Sequence, residues 1–241
     1  MPTTNILRKR HVEGDDGVVG GQLILLGSFL LWFAHRYQRI AIYASTYIAG
    51  SSLALLACQK IHPTPPGGGI LRRILYTVVS MLCGLALMLV AAGVLSHRRW
   101  QQLARSLFGG LAGCAVGLYV LAMSDEGLVR TVGGRMALVL GGAAVAATAM
   151  TWAPRHAFGG CAATLGAYVL VLGIDCFAQT GYRQHVAVFA GVRSAGGYYA
   201  GREAMVLQAA ALLLALASAT WQRAWAAARV QRILRNNSIC V

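Results

Sequence analysis

Acidic residues are scarce in this chain: seven Asp and Glu stand among 241 residues, against 21 Lys and Arg. Lysine is nearly missing too, appearing only at Lys9 and Lys60, so almost all the positive charge is arginine. Charged residues make up 12% of the chain, roughly half the share found in an average soluble domain. With 57% hydrophobic residues and a mean hydropathy of +0.60, the composition excludes an ordinary soluble domain and reads as a membrane protein. The formal charge of +14 would point to nucleic acid in a soluble chain. Here the bases sit between apolar segments, where loops facing lipid headgroups account for them, and no nucleic-acid partner is expected.

Other absences narrow the chemistry. Cys58, Cys83, Cys114, Cys161, Cys176 and Cys240 are scattered, mostly inside apolar segments, without C-x-x-C spacing. That argues against a disulfide framework or a zinc site and for small buried apolar side chains. No H-E-x-x-H occurs, Gly50-Ser51-Ser52 lacks the context of an intramembrane serine protease, and the glycines from Gly109 to Gly113 follow no strand. The chain is therefore read as non-enzymatic, with no cofactor and no metal. Arg8-Lys9-Arg10 precedes an apolar run, but Glu13, Asp15 and Asp16 intervene and no small-x-small cleavage site follows before His35. The run is read as a retained first helix, and the acids also disfavour a mitochondrial presequence.

What is present is a set of long apolar runs. A bilayer core of about 30 Å needs roughly 20 apolar residues per helix. Seven segments approach this, at 18–34, 40–58, 74–95, 106–123, 132–151, 157–177 and 204–220. The expected fold is all-α: a polytopic bundle of seven transmembrane helices. Its organisation is a polar N-terminal segment (1–17), the membrane domain (18–220) and a basic C-terminal tail (221–241) that continues the seventh helix. Pro63, Pro65 and Pro66 with three glycines mark an exposed loop after the second helix.

The turns after the first and third helices are alike: HRYQRIA at 35–41 and HRRWQQLA at 97–104, each followed by an aliphatic-Ala-Gly triplet. A weaker third copy stands at Trp152 to His156. The reading is three repeated helical hairpins plus a seventh helix, with the three basic, aromatic turns on one membrane face. Base counts barely orient the bundle, with eleven on the N-terminal face and ten on the other. The close spacing of Arg223, Arg229, Arg232 and Arg235 behind the last span favours a cytoplasmic C-terminus and an extracytoplasmic N-terminus.

Candidate functional residues are few. Gly109, Gly113 and Gly117 recur every four residues, and Gly159, Gly166 and Gly173 every seven. Each set forms a stripe where another helix approaches closely, either within the bundle or at a dimer face or sliding interface. Asp175 is an ionisable group at the end of an apolar run. It serves a structural role at headgroup depth, pairing with Arg183 or Arg130 or capping a loop, or else it handles an ion. His35, Arg36, His97, Arg98, Arg99 and Arg155 form a basic interfacial rim. The three turn histidines, His156 included, read as interfacial anchors rather than a metal cluster, because no carboxylate shares their face.

LWFAHRYQRI at 31–40 leading to YIAG at 47–50, the Gly-rich fourth helix, and GAYVLVLGIDCF at 166–177 resemble the family of transmembrane protein 198. GIDCF at 173–177 followed by TGY at 180–182 brings the chain closest to its fungal branch. The resemblance implies a seven-helix domain with the N-terminus outside, and a vertebrate member acting as a membrane scaffold in Wnt signalling. The expected function is a non-enzymatic membrane scaffold or assembly partner. Its expected partners are the lipid bilayer, anionic lipid, and a second copy or another membrane protein. The alternative is a small ion or solute transporter or channel using the repeated hairpins and Asp175.

Overall fold

The computed structural model describes residues 14–61, 70–94, 98–123, 129, 131–182, 186 and 201–238. Within these are seven helices: α1 (Gly14–Trp32), α2 (Gln38–Ile61), α3 (Ile70–Val94), α4 (Arg98–Leu121), α5 (Val132–Trp152), α6 (Pro154–Ala178) and α7 (Arg202–Ser238). No strand occurs among the described residues. Six of the helices are long and apolar enough to cross a membrane, and the apolar part of α1, Gly17–Trp32, is somewhat shorter. Each expected span falls on one helix.

Local chemistry sets several boundaries. Thr131 caps α5 by accepting from the Gly134 N–H at 3.3 Å. Ala153 alone separates α5 from α6, because Pro154 has no N–H to continue the ladder but suits a first helical position. α6 closes where Gln179 turns left-handed (φ 52°) and donates its N–H to the Asp175 carbonyl at 2.8 Å. Gly181 follows at φ 87°, a conformation open to glycine and costly for other residues. α4 starts at Arg98 rather than near Ser106, since its polar first two turns are good helix formers that hydropathy does not detect. α7 runs unbroken for 37 residues, about 55 Å at the usual helical rise. The basic tail is thus the end of the last helix.

The closest helix pairs are α1 with α6, α4 with α5, and α2 with α3. The repeated hairpins are therefore units of sequence more than of packing, because α1 lies on α6 and only brushes α2. α6 is the most enclosed helix and touches α1, α4, α5 and α7, whereas α3 and α5 are the least enclosed. Composition accounts for the contrast between α6 and α3. α6 carries small buried residues around its surface, among them Ala162, Ala163, Gly166 and Ala167, which let neighbouring backbones approach from several sides. α3 presents Leu75, Leu82, Leu89 and Val90 outward, and hydrocarbon is their solvent.

The tightest crossings are built on glycine. A Cβ on Gly27 of α1 would lie 2.5 Å from the Leu170 nitrogen, and one on Gly173 of α6 would lie 2.8 Å from the Ile24 nitrogen. Gly20 and Gly166 complete this crossing at the same seven-residue spacing. Gly109, Gly113 and Gly117 of α4 face Ala146, Gly142 and Val139 of α5. Phe108 of α4 stacks on Phe158 of α6 at 4.9 Å, joining the two pairs.

Candidate functional site

Polar side chains inside an apolar bundle must find partners, so their destinations locate what the fold could use. Most hydroxyls stay local: Ser45, Thr46, Ser51, Ser80 and Thr151 each donate to the carbonyl three residues back. A few reach across helices. Gln22 of α1 donates to the Tyr47 hydroxyl of α2. Tyr119 and Gln208 exchange bonds between α4 and α7, side chain to carbonyl in both directions, at 3.1 and 2.9 Å. Arg135, buried in the first turn of α5, donates through Nε to the Val129 carbonyl at 2.6 Å.

Asp175 lies in the last turn of α6 and is 3% exposed. Its Oδ1 accepts from the Thr180 hydroxyl, whose oxygen in turn accepts from the Tyr182 N–H at 3.4 Å. Tyr182 is fully buried just beyond. The left-handed Gln179 folds the chain back so that Thr180 reaches the carboxylate. The side chain thus stands at the helix end, enclosed and engaged with the turn that terminates α6. Arg183 and Arg130 lie outside the described residues.

The second polar cluster is at the opposite end, where α1 meets α7. The Leu31 carbonyl, one of the last four of α1, accepts from Ser218 Oγ at 2.6 Å and Gln222 Nε2 at 2.9 Å. Gln222 also donates to Ser218 Oγ at 3.1 Å. Trp32 meets Trp221 edge-on with ring centres 6.2 Å apart, and His35 meets Trp225 edge-on at 4.8 Å. The arms of the expected rim divide around this junction. His35 is half-buried in it and Arg36, exposed, places its guanidinium 5.5 Å from the Tyr37 ring centre. Arg98 and Arg99 open α4 and Arg155 is the second residue of α6, while His97 lies outside the described residues. No group of three His, Cys, Asp or Glu converges among the described residues.

The six glycines singled out from spacing all stand at helix crossings within one molecule. Gly109, Gly113 and Gly117 face α5, Gly166 and Gly173 face α1, and Gly159 faces Gln222 of α7. Gly20 and Gly27 of α1 complete the picture. Their spacing of seven matches that of Gly166 and Gly173, a signal available in the sequence but recognisable only once the two helices are known to pair. Gln208, Ser218 and Gln222 were likewise legible as polar interruptions of an apolar run.

A family model described as the TM7S3/TM198-like domain matches residues 20–223. The chain belongs to that family. The match opens at Gly20, the first glycine of the α1–α6 crossing, and closes just after Gln222, so it reaches into all seven helices and includes the Ser218 and Gln222 ties to Leu31. Neither the curated proteins nor the solved structures provide a match to the chain. As a TM7S3/TM198-like protein it is an integral, multi-pass membrane protein whose helices contact the lipid bilayer.

Proposed function

We propose that this TM7S3/TM198-like protein is a non-enzymatic membrane scaffold, holding a partner protein or a second copy through the lipid-facing sides of its outer helices. The observation that carries the reading is the use of α6. It is fixed to α1 by backbone-to-backbone glycine contact, to α7 at Gly159, and at its end by the Asp175–Thr180 bond. A carboxylate spent on closing a turn leaves the centre of the bundle as a rigid support. The outer faces of α3 and α5, with Leu82, Leu89, Leu140 and Val145 exposed, are then the surfaces on which another membrane helix docks. The N-terminus is extracytoplasmic, the C-terminus cytoplasmic, and the basic rim meets anionic lipid.

A second reading, a small ion or solute transporter, draws on one specific feature. The α2–α3 pair joins the other five helices through few contacts, with the Gln22–Tyr47 hydrogen bond across the join. Two bodies that can rock against each other are what alternating access requires. Ion and solute flux through proteoliposomes carrying the full chain separates the readings. The scaffold predicts no protein-dependent flux, and photocrosslinking from positions 82 and 140 in native membranes captures a defined protein partner or a second copy. Protein-dependent flux that Asp175→Asn or Tyr47→Phe abolishes would overturn the scaffold reading.

A further inference from the structure

The two ends of the bundle differ in a way that base counts conceal. At the end where α1 stops and α7 leaves the bundle, the sequence supplies ten basic residues, all arginine, and no acid. The segments that the sequence assigns to the other end carry eleven Lys and Arg together with all seven acids, Asp175 among them. Every tryptophan also belongs to the all-arginine end: Trp32 closes α1, Trp100 lies in the first turn of α4, Trp152 closes α5, and Trp221 and Trp225 lie on α7. The positive-inside rule accounts for neither difference, because the base counts are nearly equal and tryptophan belts ordinarily mark both interfaces.

The fold makes this end a built surface. Ser218 and Gln222 bind the Leu31 carbonyl, and the Trp32–Trp221 and His35–Trp225 contacts lock the end of α1 onto α7. Arg36 follows His35 directly, Arg39 stands in the first turn of α2, and Arg223 follows Gln222, all three exposed. Trp32 and Trp221 are 40% and 53% exposed, as suits rings resting at the boundary between acyl chains and headgroups. Guanidinium groups two to seven residues from such rings fall at the level expected for lipid phosphates. The segments of this end contain no Asp or Glu to compete for them, and the planar guanidinium fork matches a phosphate in bidentate fashion.

We infer that the α1–α7 end is a binding surface for anionic phospholipid headgroups, with Arg36, Arg39 and Arg223 as phosphate-binding arms and the tryptophans as the ring that sets their depth. The inference rests on the membrane reading and deepens it by naming the arms and rings through which the rim holds anionic lipid, but it does not depend on whether the protein scaffolds or transports. It also places this end in the anionic, cytoplasmic leaflet.

The tryptophans make the test direct, since every one reports on this end. The full chain is reconstituted in phosphatidylcholine vesicles containing, at equal mole fraction, either tail-brominated phosphatidylserine or tail-brominated phosphatidylcholine, and quenching of tryptophan emission is compared. The brominated anionic lipid is expected to quench about twofold more or better. That excess falls by at least half in Arg36→Gln/Arg39→Gln/Arg223→Gln and persists in Lys60→Gln/Arg202→Gln, which removes charge from the other end. Unchanged quenching by the brominated phosphatidylcholine shows that the variants remain inserted. Equal quenching of the wild type by both lipids would overturn the inference and leave the arginines to an acidic protein. Equal loss in the opposite-end variant would overturn it as well. If water-soluble glycerophosphoserine at matched concentration abolishes the excess, the surface binds free phosphate compounds and the lipid assignment fails.

Discussion

The α1–α6 pair and the α2–α3 pair are both joined through glycine, yet one forms the axis of the bundle and the other stands at its side. In the α1–α6 crossing Gly20, Gly27, Gly166 and Gly173 bring backbone against backbone. In the α2–α3 crossing Gly50 and Gly84 meet a mixture of backbone and the side chains of Leu87, Tyr47 and Ser51. Among the residues of α3 whose burial is described, Ser80 and Gly84 are the buried ones. A close-packed glycine seam is therefore not what centres a helix. α6 is central because it is small-sided in several directions at once, while α3 is small-sided toward α2 alone. In a solvent as apolar as leucine, a helix gains nothing by burying leucine and gains by letting neighbours come near.

The largest effect should come from breaking the axis. Gly27→Leu drives a side chain into the Leu170 nitrogen and Cα, at 2.5 and 2.7 Å from the new Cβ, and neither backbone atom can yield without moving α6. A loss of about 3 kcal/mol or more is expected, read as a lower SDS midpoint in mixed micelles and loss of the monodisperse species. Gly50→Leu tests the side pair. Its Cβ meets Leu87 Cδ2 at 3.1 Å and the Gly84 Cα at 3.2 Å, contacts that a rotamer change and a small shift of a peripheral helix relieve. About 1–2 kcal/mol is expected, and a loss equal to that of Gly27→Leu would remove the distinction between axis and side pair.

A smaller effect is expected at the α1–α7 tie. Gln222→Leu removes one of two donors to the Leu31 carbonyl, and interhelical hydrogen bonds in membranes average well under 1 kcal/mol, with about 1.7 the largest. Gln222 Oε1 is also buried with no hydrogen-bond partner among the described residues, so the substitution removes a cost along with a bond. A net change of about 0.5 kcal/mol is expected in the same SDS titration. Ser218→Ala alone should be similar, while the double variant leaves the carbonyl without either donor and should lose more than the sum. Strict additivity would mean that the two side chains do not share the carbonyl as one unit.

The spans were legible because an apolar run between polar turns is a local signal that needs no knowledge of the rest of the chain. The pairing of the helices was not. The stripe of Gly109, Gly113 and Gly117 announces a close neighbour but does not say that it is α5, and the likeness of the turns after α1 and α3 marks repeated sequence rather than packing partners. Asp175 was readable as the end of a span from the polar residues that follow. Its engagement by Thr180 was not, since it depends on the left-handed Gln179, and glutamine carries no strong signal for that conformation. The same limit hid the Leu31 tie, which joins residues 187 apart or more in sequence.

The finest test uses two neighbours on one helix. Gly20 and Gly21 have the same chemistry, but a Cβ on Gly20 would lie 2.7 Å from Cys176 Cβ and 3.0 Å from the Gly173 carbonyl oxygen, whereas one on Gly21 meets nothing within 4 Å. Gly21→Ala restricts the unfolded chain and improves helix propensity without touching a neighbour, so it should stabilise by about 0.4–1 kcal/mol. Gly20→Ala gains the same propensity and forces α1 away from α6, so the net sign should reverse. Equal midpoint shifts for the two alanines, in either direction, would mean that α1 does not present Gly20 to α6. The seven-residue match between Gly20–Gly27 and Gly166–Gly173 would then be coincidence rather than the seam on which the bundle closes.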